Sequence, residues 1–354
     1  MKQRTRFLIG LSLLFLFLFL PDRGYAKEQN RIDETEQRAG FTIRAEIPEN
    51  QVDKAKSYFH LAIGKDHEQT IKVKIFNNTD KEQTYQILVN PAKTNKNGII
   101  VYDDLDTPLD SSLKLPITDI VKPDNKTVTI PAWSEGEASL TIKLNDQVFS
   151  GVILGGVHIS QKESEEKTQK GMSVSNRYGY VSGIALVQNA ETSIFGNTEL
   201  KLKKINPMVD YGSKVVEAQI QNPNAETFDK VKIEGNITKK SSQKILAEHT
   251  IDSARIAPNS FLPFQIDWGK DSVAPGTYIF EGEAKDKEKS WKFKKEFTIT
   301  AKIAKEMNEQ AVVKFILPDW WKQWTIICSI SSVLVIGYLV YRRIHRSKKE
   351  GENE

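Results

Sequence analysis

Cysteine is almost absent: the 354-residue chain holds one, Cys328. It falls in an apolar run near the C-terminus, so no disulfide braces any folded domain and packing alone must hold each one. Exported eukaryotic proteins use cysteine freely, and this composition argues against that route. The Asn-x-Thr triplets at Asn77, Asn125 and Asn236 therefore carry no glycosylation reading. Histidine is scarce as well, with five residues, of which His345 sits in a basic C-terminal tail. There is no His-Glu-x-x-His helix, no Gly-x-Ser-x-Gly elbow, no phosphate-cradling glycine loop and no metal-type cysteine cluster. No catalytic residue, metal site or cofactor is assigned, and the chain is read as a non-enzyme. His158, alone on an alternating strand after Gly155-Gly156-Val157, is read as a structural side chain. Charge of a single sign is lacking too. The 50 basic and 46 acidic residues give a formal charge of +4, which includes the tail. The middle of the chain is close to neutral, with no nucleic-acid footprint.

Long hydrophobic runs are few, and they lie at the two ends. Lys2, Arg4 and Arg6 precede the apolar run Phe7 to Leu20, which Pro21 stops. That is the layout of a secretory signal peptide. Gly24-Tyr25-Ala26 places small residues before a cut between Ala26 and Lys27, so residues 1–26 are expected to be removed. No cysteine follows the cut to accept a lipid. The second run, Thr325 to Tyr341, is about 17 residues and covers roughly 25 Å of a hydrocarbon core near 30 Å. Trp320, Trp321 and Trp324 flank it on one side and Tyr341 on the other, positions that suit headgroup-level rings. Arg342, Arg343, Arg346, Lys348 and Lys349 follow, and such a cluster stays in the cytoplasm. The expectation is a single-pass transmembrane helix with aromatic flanks over 320–341, a cytoplasmic tail over 342–354, and everything from Lys27 to about Asp319 outside. Leu317-Pro318-Asp319-Trp320 lacks the Thr-Gly of a sortase signal, so the chain is expected to remain in the membrane.

Between the ends, period-2 alternation recurs: Phe41, Ile43, Ala45, Ile47; Ile71, Val73, Ile75; Tyr85, Ile87, Val89; Leu140, Ile142, Leu144. Strands of this kind separated by Asn77-Asn78-Thr79-Asp80 and Asn95-Lys96-Asn97-Gly98 predict antiparallel sandwiches. The fold class is all-β, with two immunoglobulin-like β-sandwiches in tandem. Residues 40–162 form the first, 163–179 a charged loop or linker, 180–302 the second, and 303–319 a helical juxtamembrane stalk. The apolar stretch Val181 to Val187 also suits a closing strand of the first sandwich across the charged loop. In the second, Val216-Ala218-Ile220, Val231-Ile233 and Tyr278-Phe280 mark strands, with turns at Asn222-Pro223-Asn224 and Ala274-Pro275-Gly276. Tyr278, Trp291 and Phe297 are expected to fill the core, with a bulge near Lys294-Lys295 bringing Trp291, Phe293, Phe297 and Ile299 to one face.

Taken in order, several segments resemble the WxL-interacting proteins of Gram-positive bacteria. In the first half these are Phe41-Thr42-Ile43 through Pro48-Glu49-Asn50-Gln51, Tyr58-Phe59-x-Leu61, and Asn95-x-Asn97-Gly98-Ile99-x-x-Tyr102. In the second they are Asn222-Pro223-Asn224-Ala225, Ala257-Pro258-Asn259-Ser260-Phe261, Pro275-Gly276-x-Tyr278 and Trp291-x-Phe293-x-Lys295-x-Phe297. The resemblance covers nearly the whole chain. It implies a peptidoglycan-binding domain followed by a domain that binds host proteins, in a membrane-anchored partner of secreted WxL-domain proteins. Asn95, Asn97 and Tyr102 are the candidate ligand residues, since amides can hydrogen-bond sugar hydroxyls. Turn chemistry explains the same asparagines equally simply. Two other functions fit these residues, a wall-remodelling hydrolase and a chaperone-like holder of secreted subunits by strand addition.

Overall fold

The computed structural model describes residues 39–65, 68–162, 178–242, 244–312 and 320–350, except for the side chains of 320–323 and 341–350. The expected signal peptide with its cut at Ala26 and Lys27 lies outside the described residues, as does most of the charged loop.

The first sandwich is built from β1 (Phe41–Glu46), β2 (Phe59–Ala62), β3 (Glu68–Asn77), β4 (Gln83–Pro91), the outlying pair β5 (Lys93–Thr94) and β6 (Ile100–Val101), a helical turn α1 (Ile117–Ile120), β7 (Val121–Pro123), β8 (Thr127–Ile130), β9 (Glu135–Lys143), β10 (Val152–Gln161) and β11 (Gly179–Val187). One sheet has the order β1-β3-β9-β7 and the other β2-β11-β10-β4-β8. Alternation does the sorting: Ile71 and Val73 of β3 stand opposite Leu140 and Ala138 of β9 across the ladder, and all four are buried, as are Ile75 and Ile142. Phe41 packs at 4.9 Å from the Tyr85 ring at the centre of this core. β11 pairs with β10 along its length and runs parallel to β2, so it completes the first sandwich. By strand pairing, the division between the sandwiches falls after Val187, later than the expected boundary at 180, and a fragment ending at residue 162 would lack a central strand.

The glycine pair in β10 has a packing reason. A Cβ at Gly155 would lie 2.5 Å from Ile117 of α1, and one at Gly156 would lie 3.0 Å from the Tyr102 ring. Bare backbone on both faces lets α1 seat on one side and Tyr102 on the other.

The second sandwich comprises β12 (Lys201–Asp210), β13 (Ser213–Asn222), β14 (Phe228–Lys239), β15 (Ile245–Ile256), β16 (Ser260–Asp267), β17 (Gly276–Lys285) and β18 (Ser290–Ile299). A three-stranded sheet, β12-β13-β16, packs on a four-stranded one, β15-β14-β17-β18. Phe228, Phe264, Phe280 and Tyr278 fill the space between them, each burial worth about 1.5–3 kcal/mol. The expected bulge in β18 is absent. β17 and β18 pair without a register shift from Ser290 to Ile299. Trp291, Phe293, Phe297 and Ile299 already share one parity, so a regular strand turns them all inward, with Lys295 between them.

The helical pattern after β18 forms α2 (Ala301–Gln310), but not as a free stalk. Thr300 caps it through Oγ1, which accepts from Ile303 N at 3.2 Å. Ala304 and Met307 are buried in the second core, and the Asn308 side chain both accepts from Val273 N and donates to Val273 O. Residues 313–319 lie outside the described residues. Beyond them α3 (Trp320–Glu350) is a 31-residue helix. Among the described residues no helix is long and apolar enough to cross a membrane. The side chains described in α3 stop at Val340, short of the expected end of the span at Tyr341.

Candidate functional site

The asparagine loop that the sequence singles out is a docking hairpin. Asn95 Oδ1 accepts from the backbone N–H groups of Asn97 and Ile99 at 3.0 and 3.1 Å, closing the turn between β5 and β6. Gly98 takes a left-handed φ of 71° at its tip, and its carbonyl accepts from Arg255 N of β15 at 2.8 Å. A Cβ on Gly98 would come within 2.7 Å of the Ala254 Cβ. Beside it, Thr94 Oγ1 accepts from Ala257 N at 2.9 Å and lies 3.2 Å from Ser260 Oγ. Lys96 pairs with Asp210 at 2.7 Å, Gln221 donates to Asp110 at 2.6 Å, and Val152 N donates to Ala225 O at 2.7 Å. These contacts fasten the first sandwich to the second. Asn95 Oδ1 thus closes its own turn and Asn97 is exposed at the turn, while Tyr102 reaches the space enclosed behind the hairpin.

That space is a cleft of about 880 Å³ between the sandwiches. Tyr58, Tyr102 and the edge of β11 at Ser182 and Gly183 line its first-domain side, and Phe195, Lys230 and Arg255 its second-domain side. Gly183 lies under the two tyrosines, 3.7 Å from Tyr58 and 3.8 Å from Tyr102 measured from where its Cβ would stand. Burial pushes the Tyr102 hydroxyl up to about 12, with Tyr58 adding to the rise and Arg255 opposing it, so it remains a neutral donor and acceptor at physiological pH. Ser182 Oγ is buried with no hydrogen-bond partner among the described residues. Arg255 stands 5.7 Å over the Phe195 ring and gives its Nε–H to Asp229 at 2.7 Å. Among the described residues Asp229 is the one carboxylate lining the cleft, and it is already paired. Glycosidic cleavage by the usual route needs two converging acids. What this cleft offers is tyrosine faces, hydroxyls and the Arg44 guanidinium on one wall and Phe195, Lys230 and Arg255 on the other, which is the chemistry of recognition.

The comparisons agree with that chemistry. Residues 41–161 match the family described as WxL Interacting Protein, peptidoglycan binding domain, and residues 169–309 match WxL Interacting Protein, host binding domain. The chain belongs to the WxL-interacting protein family. Its two domains follow in the family order, and together they are those of a cell-surface binding protein. The second match begins before β11, so the strand that completes the first sandwich falls within the second WxL-interacting segment of sequence. No curated protein matches the chain. Among solved structures, the CsuC–CsuE chaperone-tip pre-assembly complex of Acinetobacter baumannii aligns at 12% identity over 66% of this chain and 94% of that one, with a TM-score of 0.30. The Salmonella enterica SafB chaperone complex with the SafA pilin aligns at 9% identity over 73% and 96%, at 0.29. A family 123 glycoside hydrolase from Clostridium perfringens aligns at 10% over 41% and 26%, at 0.24. Superpositions this loose add nothing to the functional reading.

The remaining sequence candidates are placed as follows. Trp320, Trp321, Tyr341, Arg342 and Arg343 fall on α3, with side chains outside the described residues, and Trp324 is exposed. The cleft itself was invisible in the sequence, because Tyr58, Gly183 and Arg255 come from three distant strands or their approaches. The signal that could have found it is the glycine punctuation of β10 and β11, which leaves room beneath tyrosines.

Proposed function

We propose that this protein is a scaffold at the outer face of the cell membrane, anchored by α3, that holds peptidoglycan in the cleft beside Tyr102 and holds WxL-domain or host proteins through its second domain. The observation that carries the proposal is the cleft, which joins stacking faces, hydroxyls and Arg44 from the peptidoglycan-type domain to Lys230 and Arg255 from its neighbour. Sugar rings stack on such faces, and the Arg255 side could receive a stem-peptide carboxylate. Anchoring is supported by α3, where Ile326, Ile327, Ile330, Val333, Leu334 and Val335 are exposed on successive faces. Apolar side chains left exposed on several faces of a helix, with no described residue packed on them, suit lipid. The five basic residues after Tyr341 support a cytoplasmic C-terminus.

The test is sedimentation of the detergent-solubilised chain with purified peptidoglycan. Wild type should co-sediment and release no soluble muropeptides, and Tyr58→Ala should weaken retention roughly tenfold, as loss of one stacking anchor does. Fragment release above a buffer control would instead establish a hydrolase. Retention untouched by Tyr58→Ala would remove the cleft from the account.

A further inference from the structure

We infer that β18 is a docking edge for an extended partner segment in which apolar residues alternate with glutamate or aspartate, added as a new strand in the groove between β12 and β18. This rests on reading the second domain as the partner-binding one, and it names the place and the chemistry.

A sheet edge presents free N–H and C=O groups, and proteins usually blunt it. In the second sandwich β16 is covered by β5, through Thr94 and Ser260. β15 is broken by three register shifts and gives Arg255 N to the first domain. β12 carries a register shift between Leu202 and Ile205 and then Pro207. β18 differs from all three: it runs ten residues with neither proline nor shift and pairs on one side only, with β17. The first sandwich offers nothing comparable, since its edge strands β1, β2, β7 and β8 have six, four, three and four residues.

The surroundings of β18 select the occupant. A groove of about 520 Å³ separates it from β12, and Leu202, Trp291 and Phe293 give that groove apolar lining. Its charged lining is all lysine, Lys201 and Lys203 from β12 and Lys292, Lys294 and Lys295 from β18, with no carboxylate among the lining residues. Lys201 and Lys294 pair with Glu199 and Glu281 outside the groove, while Lys203 and Lys292 pair with no carboxylate among the described residues. Lys295 reaches across to donate to Lys203 O at 2.5 Å, so one removable side chain bridges the gap. Edge lysines alone are an ordinary guard against aggregation. Here they stand over an apolar floor on the long unbroken edge of the second sandwich. An incoming strand would set its apolar side chains on Trp291 and Leu202, and its alternate carboxylates opposite Lys292 and Lys294.

The probe is a fluorescent synthetic peptide of about ten residues alternating valine and glutamate, matched to a strand of this length. Its control alternates valine and lysine. With the full chain in detergent, the acidic peptide should bind, weaken as salt rises, and protect amides of residues 290–299 from hydrogen exchange. The double variant Lys292→Gln/Lys294→Gln, at exposed positions, should bind at least roughly tenfold more weakly with a melting midpoint close to that of wild type and unchanged retention on peptidoglycan. Three results would overturn the inference: no binding of the acidic peptide, affinity that the double variant leaves intact, or protection that appears elsewhere than in β18. Peptide binding by a chain that peptidoglycan fails to retain would support the docking edge while refuting the scaffold.

Discussion

At the end of β3 and at the end of β13 the chain turns the same corner with the same residue. Asn77 donates its Nδ2 protons to the carbonyls of Lys81, Ile130 and Pro131, and its Oδ1 accepts from Thr79 N. Asn222 donates to Glu226, Ile256 and Ala257, and accepts from Asn224 N. Each corner is closed by a residue with left-handed φ, Trp133 at 54° and Asn259 at 47°. The two sandwiches thus repeat one device, and the difference lies in what covers it. Trp133 is 71% exposed, whereas the second corner is buried under Thr94 of the first domain. Motifs such as Asn222-Pro223-Asn224 make the family recognisable because they turn the chain. Binding is to be sought where the sandwiches differ, in the cleft and along β18.

The largest effect should come from removing the shared device. Asn77→Ala and Asn222→Ala each leave buried carbonyls without their donor, and each should cost on the order of 3 kcal/mol in denaturant unfolding of its own domain. Similar costs would sharpen the comparison, and a negligible cost for either would break it. Next comes Trp291→Ala. Trp291 is partly buried, edge-on to Phe228 at 5.3 Å, so it should cost about 2 kcal/mol, less than a fully buried tryptophan. An unmoved midpoint together with lost peptide binding would make it purely a contact residue.

Acid should separate the sandwiches more gently. Burial lowers the pKa of His60, with Asp53 opposing, and that of His158, with Asp103 opposing, and both lie in the first sandwich. A histidine held below its ordinary 6.5 stays neutral to lower pH when folded than when unfolded. Its stability is therefore complete above 6.5 and is lost as the pH falls through the lower folded value. Between 6.5 and the ordinary glutamate value of 4.5, the first domain's melting point should fall ahead of the second's. Equal decline of both would refute the assignment.

Most of the strand framework was legible because half-buried sheets force alternation. Ile71, Val73 and Ile75 could take no other pattern and keep a dry face. The amphipathic run after Thr300 was equally plain as a helix, but its period is silent about what it packs on, and Met307 turned out to belong to the second core. The Asn95 loop stayed open to two readings because an amide that closes a turn and an amide that meets a sugar are the same residue in the same composition. The docking of Gly98 against Ala254 could not be read there at all, because that contact joins residues from separate sandwiches.

The cleft carries the central claim, and Gly183 offers the most direct way to fill it. A Cβ there meets Tyr58 and Tyr102 at ordinary contact distance, so Gly183→Val keeps the strand and adds bulk beneath both rings. The measurement is retention of the detergent-solubilised Gly183→Val chain on purified peptidoglycan, with melting as the control for folding. The account predicts a melting point near that of wild type and retention lost. A folded Gly183→Val chain that still sediments with peptidoglycan as wild type does would contradict it.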